Sequence, residues 1–383
     1  MEKNIKITTS LLLVVISIIS IIDVNSNNTG KKTFKKDGVL YALTVDGTST
    51  TSFPSKGTYK AIVTCENADG KWLYDDWKLS IENITGNVSC DVEFTTISKN
   101  YLNTYITGLE GTTQGEGQVI NENGYRYEGK EPNNYVWFNN EYWRIIGVFD
   151  SNTHGQSDIN LVKIIKDETL GGLVWDKSDT NDWTAASLNS LLNGAYYNAT
   201  DGTSSGYCYG YSDGYSTIAI GNCDYAKRGI QDGYRDMIAN VTWYLGGYSS
   251  TSATAEAFYG YERGTTVYSE NPTSTTGYIG LMYLSDYGYS VLSSSCARTV
   301  SLKYFSSSAC SGQSWLYGKG YEWMLTQDSR SSGLVFHIDY NGALDCRFGS
   351  RTGFSIRPVL YLDESVYVID GDGTLDKPYI IGM

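Results

Sequence analysis

The chain has 383 residues, a formal net charge of −13 and two histidines, and no basic stripe runs through its body. That balance argues against a nucleic-acid partner. A hydrophobic share of 41% with five prolines excludes a low-complexity stalk and suffices for about two folded domains. The 33 tyrosines and 41 glycines suit a loop-rich β protein that makes contacts through amphipathic rings.

At the N-terminus, Lys3 and Lys6 precede an uncharged run over residues 7–22. Its most apolar part, residues 11–22, has signal-peptide length and falls short of the ~20 residues of a membrane span. Val24 and Ser26 can serve as the small residues before a cleavage site. Retention as an uncleaved anchor is the alternative, because Lys31, Lys32, Lys35 and Lys36 follow directly. Residues 1–26 are therefore expected to be a signal peptide or membrane anchor, and export follows either way. Membrane contact is expected through this segment alone.

Residues 37–98 read as a small all-β, Ig-like sandwich serving as a stalk. Segments 39–45, 58–65, 77–81 and 90–94 alternate apolar residues and are separated by Gly, Asp, Asn and Ser turns. Residues 99–130 are expected to be a linker, because 108–129 is rich in Gly, Asn, Thr and Glu without apolar periodicity.

A second domain is expected over 131–365. It opens with a hairpin, 135–138 and 141–149 around Asn139-Asn140, followed by a strand at 161–165. Two helices are predicted. One spans about 183–193, with Asn181 or Asp182 as N-cap, Leu188, Leu191 and Leu192 on one face, and Gly194 as stop. The other spans about 234–245, where Met237, Ile238, Val241, Tyr244 and Leu245 recur at helical spacing.

Further along, 334–340 and 343–348 flank Asn341-Gly342, a dipeptide suited to a two-residue hairpin turn. That turn pairs Tyr340 with Ala343 and sets His337 opposite Cys346. A strand over 354–362 contains Pro358, which predicts a sheet edge or a bulge. Residues 366–383 form a last hairpin packed on this domain, turning at Asp370-Gly371-Asp372-Gly373. Helices beside a mixed antiparallel sheet make the fold class α+β.

The seven cysteines fall as Cys65 with Cys90, Cys208 with Cys223 and Cys296 with Cys310, leaving Cys346 single. Three local disulfides in an oxidising compartment are expected, each stabilising by ~3 kcal/mol in the loop-entropy model. Sequence alone leaves the other connectivities of six cysteines open. No C-x-x-C occurs and neither His154 nor His337 lies near a cysteine pair, so no metal site is expected.

Several blocks carry a resemblance. They are Asn133-Asn134-Tyr135-Val136-Trp137-Phe138-Asn139-Asn140, Trp143-Arg144-Ile145-Ile146-Gly147-Val148, Gly280-Leu281-Met282-Tyr283, Ser285-Asp286-Tyr287-Gly288-Tyr289, Trp315-Leu316-Tyr317, Glu322-Trp323-Met324-Leu325-Thr326 and Arg357-Pro358-Val359-Leu360-Tyr361-Leu362, with a terminal Gly-Asp-Gly-Thr and Pro-Tyr-Ile. They resemble an uncharacterised family of exported Gram-positive bacterial surface proteins over roughly residues 100–383. Members carry a domain related to the C-type-lectin-like fold of formylglycine-generating enzymes and of retroelement variable proteins. The resemblance implies a C-type-lectin-like head whose ligand face precedes the final strands. Here that position holds residues 327–353.

The expected ligand residues are Trp323, Asp328, Ser329, Arg330, His337, Asp339, Tyr340, Asp345, Arg347 and Arg351. The competing view is an ordinary solvated sheet face. Glu131-Pro132-Asn133 copies a lectin calcium and sugar motif but sits at the entry to the first hairpin, which favours a simple turn. Asp370-Gly371-Asp372-Gly373 with Asp376 lacks EF-hand spacing and reads as a hairpin turn. Cys346 with His337 lacks a recognisable orienting third group, and carboxylates such as Glu322 and Asp339 do not declare a glycosidase pair. No catalytic residues and no cofactor are expected. The leading expectation is an adhesin-like surface protein for a glycan or protein on a host or microbial surface. A passive envelope component and an enzyme of the formylglycine-generating type are the alternatives.

Overall fold

The computed structural model describes residues 25–26, 32–74, 76–212, 216–306, 310–318 and 320–383. The expected signal peptide or anchor falls, but for Asn25 and Ser26, outside the described residues. No helix among the described residues is long and apolar enough to cross a membrane. The chain divides into two compact units, 1–99 and 100–383.

The first unit is all-β among its described residues. Alternation in Val39–Val45, Tyr59–Glu66 and Ser89–Thr96 sends one set of side chains inward. Val39–Val45 lies parallel to Ser89–Thr96, which pairs antiparallel with Tyr59–Glu66. Lys32–Lys36, absent from the expected strands, adds to the other edge of Val39–Val45. A separate hairpin joins Asp69–Leu73 to Lys78–Glu82. Trp72 and Phe94 meet edge to face at 4.7 Å at the centre of this core. Cys65 pairs directly with Cys90 across the ladder and is bonded to it.

The second unit is α+β, with an eleven-stranded and a five-stranded sheet, two small two-stranded sheets and six short α-helices among its described residues. Residues 99–130 are not a linker. Leu102–Thr107 is helical, and Glu116–Asn121 and Tyr125–Glu131 are antiparallel strands of the large sheet. The hairpin Tyr135–Phe138 with Glu141–Phe149 forms as expected, because Asn139 (φ 57°) and Asn140 (φ 59°) both take the left-handed backbone that such a turn needs. Leu161–Lys166 joins Glu141–Phe149 on one side and Val359–Leu362 on the other.

Other expectations are corrected. The first predicted helix begins only at Ser187 and passes through Gly194 in a π-type turn, Leu192–Tyr196. The second does not form: Asp232–Arg235 is a single helical turn, and Val241–Tyr244 is a strand paired with Ser274–Gly277. Pro358 lies at neither an edge nor a bulge of a continuous strand. It separates Phe354–Ser355 of the five-stranded sheet from Val359–Leu362, an interior strand of the large one. The last hairpin forms, and Tyr379–Gly382 runs parallel to Tyr135–Phe138 within the large sheet itself.

All three expected disulfides are present: Cys65–Cys90, Cys208–Cys223 and Cys296–Cys310. They fit an oxidising, extracellular-type environment.

Candidate functional site

The five-stranded sheet ends in Glu322–Gln327, Leu334–Ile338 and Leu344–Phe348, in that spatial order. The hairpin of Leu334–Ile338 with Leu344–Phe348 has a three-residue loop, because Asp339 donates its backbone N–H to Ala343 O and its carbonyl accepts from Gly342 N–H. Gly342 (φ 89°) takes the left-handed position, and a Cβ there would lie 2.2 Å from Ser311 Cβ. Register therefore shifts by one from expectation: His337 faces Asp345, and Cys346 faces Phe336.

That register builds one face. Trp323, His337 and Asp345 form a row across three strands, and strand alternation adds Arg347. Phe354 closes on His337 with ring centroids at 4.7 Å. Tyr321 stacks on Phe354 at 4.7 Å and 12°, and Tyr340 stands 5.7 Å from Tyr321. The exposed part is aromatic and charged. Tyr340 is 60% and Tyr321 37% exposed, with Asp345 and Arg347 also exposed. Burial and then the neighbouring Asp339 carboxylate push the Tyr321 phenol up.

The ten expected ligand residues split. Asp339, Tyr340, Asp345 and Arg347 share this outer face, whereas Trp323 and His337 lie buried beneath it. Burial, against the pull of Asp345 and Asp339, brings the His337 imidazole down to about 4. Asp328 is fully buried and gripped by Arg330, whose Nη2 also approaches Cys346 Sγ at 3.3 Å on the sheet's other side. Ser329 donates its backbone N–H to Tyr248. Arg351 lies over Phe348 and 3.6 Å from Asp179. These four residues are not part of that outer face.

Cys346 is half-buried and free, and burial followed by Asp328 pushes its thiol up to about 11. A thiol so protonated is a poor nucleophile at neutral pH.

Beside Tyr321 lies a cavity of about 150 Å³ walled by Asp167, Thr169, Glu322, Ser355 and Arg357. Its floor is a two-pronged ion pair: Arg357 Nε and Nη2 donate to the Glu322 carboxylate at 2.7 and 2.8 Å. Burial works against the Arg357 charge, but Glu322 holds its guanidinium above the ordinary value. Burial raises the Asp167 carboxyl, opposed by Arg144 and Arg357. Sequence reasoning missed Tyr321, Phe354 and Arg357 as neighbours of this face. The available signal was Arg357 before Pro358, a buried-pair residue where the chain changes sheets.

Glu131-Pro132-Asn133 ends a strand. Glu131 pairs with Arg144 at 2.8 Å, and Asn134 donates its backbone N–H to Pro132 O at 2.9 Å, so the turn reading fits. Asp372 likewise accepts from the backbone and hydroxyl of Thr374 within the last hairpin's turn.

Fold and site define a disulfide-bonded α+β protein with an exposed aromatic and charged face at the edge of its smaller sheet. Comparison with known proteins adds nothing to this definition: no family model, no curated protein and no solved structure matches the chain.

Proposed function

We propose that this chain is an exported surface protein of the C-type-lectin-like kind, akin to the Gram-positive family it resembles, whose 100–383 unit binds a glycan on a host or microbial surface. The observation that carries the reading is the exposed pair Tyr321 and Tyr340, flanked by Asp339, Asp345 and Arg347 beside a small polar cavity. Sugar rings present C–H faces to aromatic rings and hydroxyls to carboxylates and guanidinium groups, so one such patch satisfies both halves of a sugar. The buried row beneath fixes the platform: Trp323 Nε1 donates to Leu173 O at 3.0 Å, and Tyr287 OH donates to Gly342 O at 2.8 Å under the hairpin tip.

Binding is favoured over catalysis because the chemically tempting groups are held inert. His337 is kept neutral by burial, and the Cys346 thiol is kept protonated and faces Arg330. A glycan array probed with the full chain is the test. Saturable binding that falls about tenfold or more in Tyr340→Ala and in Arg347→Ala is expected. Silence across glycan and protein panels alike would put a passive envelope role ahead.

A further inference from the structure

The cavity beside Tyr321 holds polar groups that the rest of the fold leaves uncommitted. Arg357 is buried and lines it, with Nε and Nη2 engaged by Glu322 and Nη2 also by Leu316 O at 2.6 Å. Its remaining nitrogen, Nη1, has no acceptor among the described residues, yet it is not sealed from open space. Half-buried Asp167 lines the same cavity, close enough to Arg357 for each charge to act on the other. Among the described residues nothing donates to the Asp167 carboxylate, and the Ser355 hydroxyl on the same wall is equally uncommitted. Thr169, by contrast, is occupied: its Oγ1 donates to Ile356 O at 3.1 Å. A guanidinium N–H and a carboxylate inside a recess lose part of their hydration, so a ligand that meets both is favoured.

Size and position say how a ligand enters. At about 150 Å³ the recess is smaller than the roughly 300–1,000 Å³ of a site for a whole ligand, so it takes one substituent of a ring that stays outside. Tyr321 joins its wall to the exposed face, where Tyr340 stands 5.7 Å away. Gly318 keeps the floor open. A Cβ there would lie 3.5 Å from Glu322 Oε2 and 3.9 Å from Arg357 Nη2, ordinary contacts that a larger side chain would extend into the recess.

The charges select the substituent. An ammonium group is repelled by Arg357, and a carboxylate by Asp167 and Glu322. A neutral amide offers its oxygen to Arg357 Nη1 and its N–H to Asp167, and a methyl beyond the carbonyl meets the Tyr321 ring. A hydroxyl makes the polar contacts but brings nothing apolar to that ring.

We infer that this recess is the specificity pocket of the exposed face and takes the acetamido group of a 2-acetamido-2-deoxy sugar. The inference rests on the glycan reading above and adds the class of sugar to it. Calorimetric titration of the full chain with N-acetylglucosamine and N-acetylgalactosamine, against glucose, galactose and glucosamine, tests it. At least one acetamido sugar is expected to bind saturably and about tenfold more tightly than its parent hydroxyl sugar, with glucosamine no tighter than glucose. Asp167→Ala removes the amide's acceptor and should cost that acetamido sugar about tenfold while changing its parent less than twofold. Gly318→Leu fills the floor without touching the Arg357–Glu322 pair and should abolish the preference. Tyr340→Ala should weaken the acetamido sugar through the face itself. Parity with the parent sugars, tighter binding of glucosamine, or indifference to both Asp167→Ala and Gly318→Leu would each overturn the inference while a Tyr340-dependent glycan response left the broader reading standing. Failure of both acetamido sugars to bind would also overturn it, and the glycan reading would fall with it only if the array were silent as well.

Discussion

His337 packs against Trp323, with ring centroids 5.8 Å apart, and against Phe354 at 4.7 Å, and this enclosure governs its protonation. The sequence places it on the expected ligand face, with a two-residue turn setting it opposite Cys346. The three-residue loop moves it opposite Asp345 and buries it between Trp323 and Phe354. Around it stand Asp345 and Asp339, which favour its charge, and Arg347, which opposes it, yet burial dominates and holds the imidazole at about 4 against an ordinary 6.5. Between those values the unfolded chain takes up a proton that the folded chain refuses. Stability should therefore fall as pH drops from 6.5 towards 4, by up to roughly 3 kcal/mol at the lower end. Urea unfolding of the wild type and of His337→Leu across that window checks it. The variant should lose much of the slope, and identical slopes would show that carboxylates elsewhere govern acid sensitivity.

Elements were legible where local chemistry and tertiary packing agree. Asn139-Asn140 dictates its own turn, and the alternating strands of the first unit appear close to where their apolar residues place them. The misread elements have a common cause. Tyr125–Glu131 looks like linker because its charges mimic solvent-exposed residues, yet Arg126 and Glu128 are buried against Asp286 and Arg298, over 150 residues away in sequence. Val241–Tyr244 lies within helical apolar spacing, but its β-branched and aromatic residues pair with Ser274–Gly277 instead. The candidate site was half legible for the same reason: Tyr340, Asp345 and Arg347 belong to one hairpin, whereas Tyr321, Phe354 and Arg357 join it only through the sheet. Cys65 and Cys90 show the agreeing case, since a directly opposed pair in neighbouring strands forms the expected bond. Replacing both by alanine should lower the stability of the first unit by roughly 3 kcal/mol. Thermal unfolding of the full chain checks this, with the transition of the second unit expected to stay in place.

At the scale of the molecule, each unit has a hydrophobic core of its own, one centred on Trp72 and Phe94 and the other containing Trp143, Trp175, Trp243 and Trp323. Each also has its own disulfides, one in the first unit and two in the second. Two cores and no disulfide between them predict two independently closed folding units, with the vulnerable backbone at their junction rather than at residues 108–129. Lys99 is exposed and precedes Asn100–Tyr101, the first strand of the second unit, which is held by Tyr367–Asp370. Lys130, equally exposed, lies within a paired strand of the large sheet. Brief trypsin treatment under native conditions should therefore cut at Lys99 well before Lys130. The product should be a stable fragment from residue 100 onward, readable by mass spectrometry. That fragment should keep the glycan-binding response of the full chain, because every residue of the Tyr321–Tyr340 face lies within it. A first cut at Arg126 or Lys130 would mean that the outer strands of the large sheet open more readily than the junction between the units.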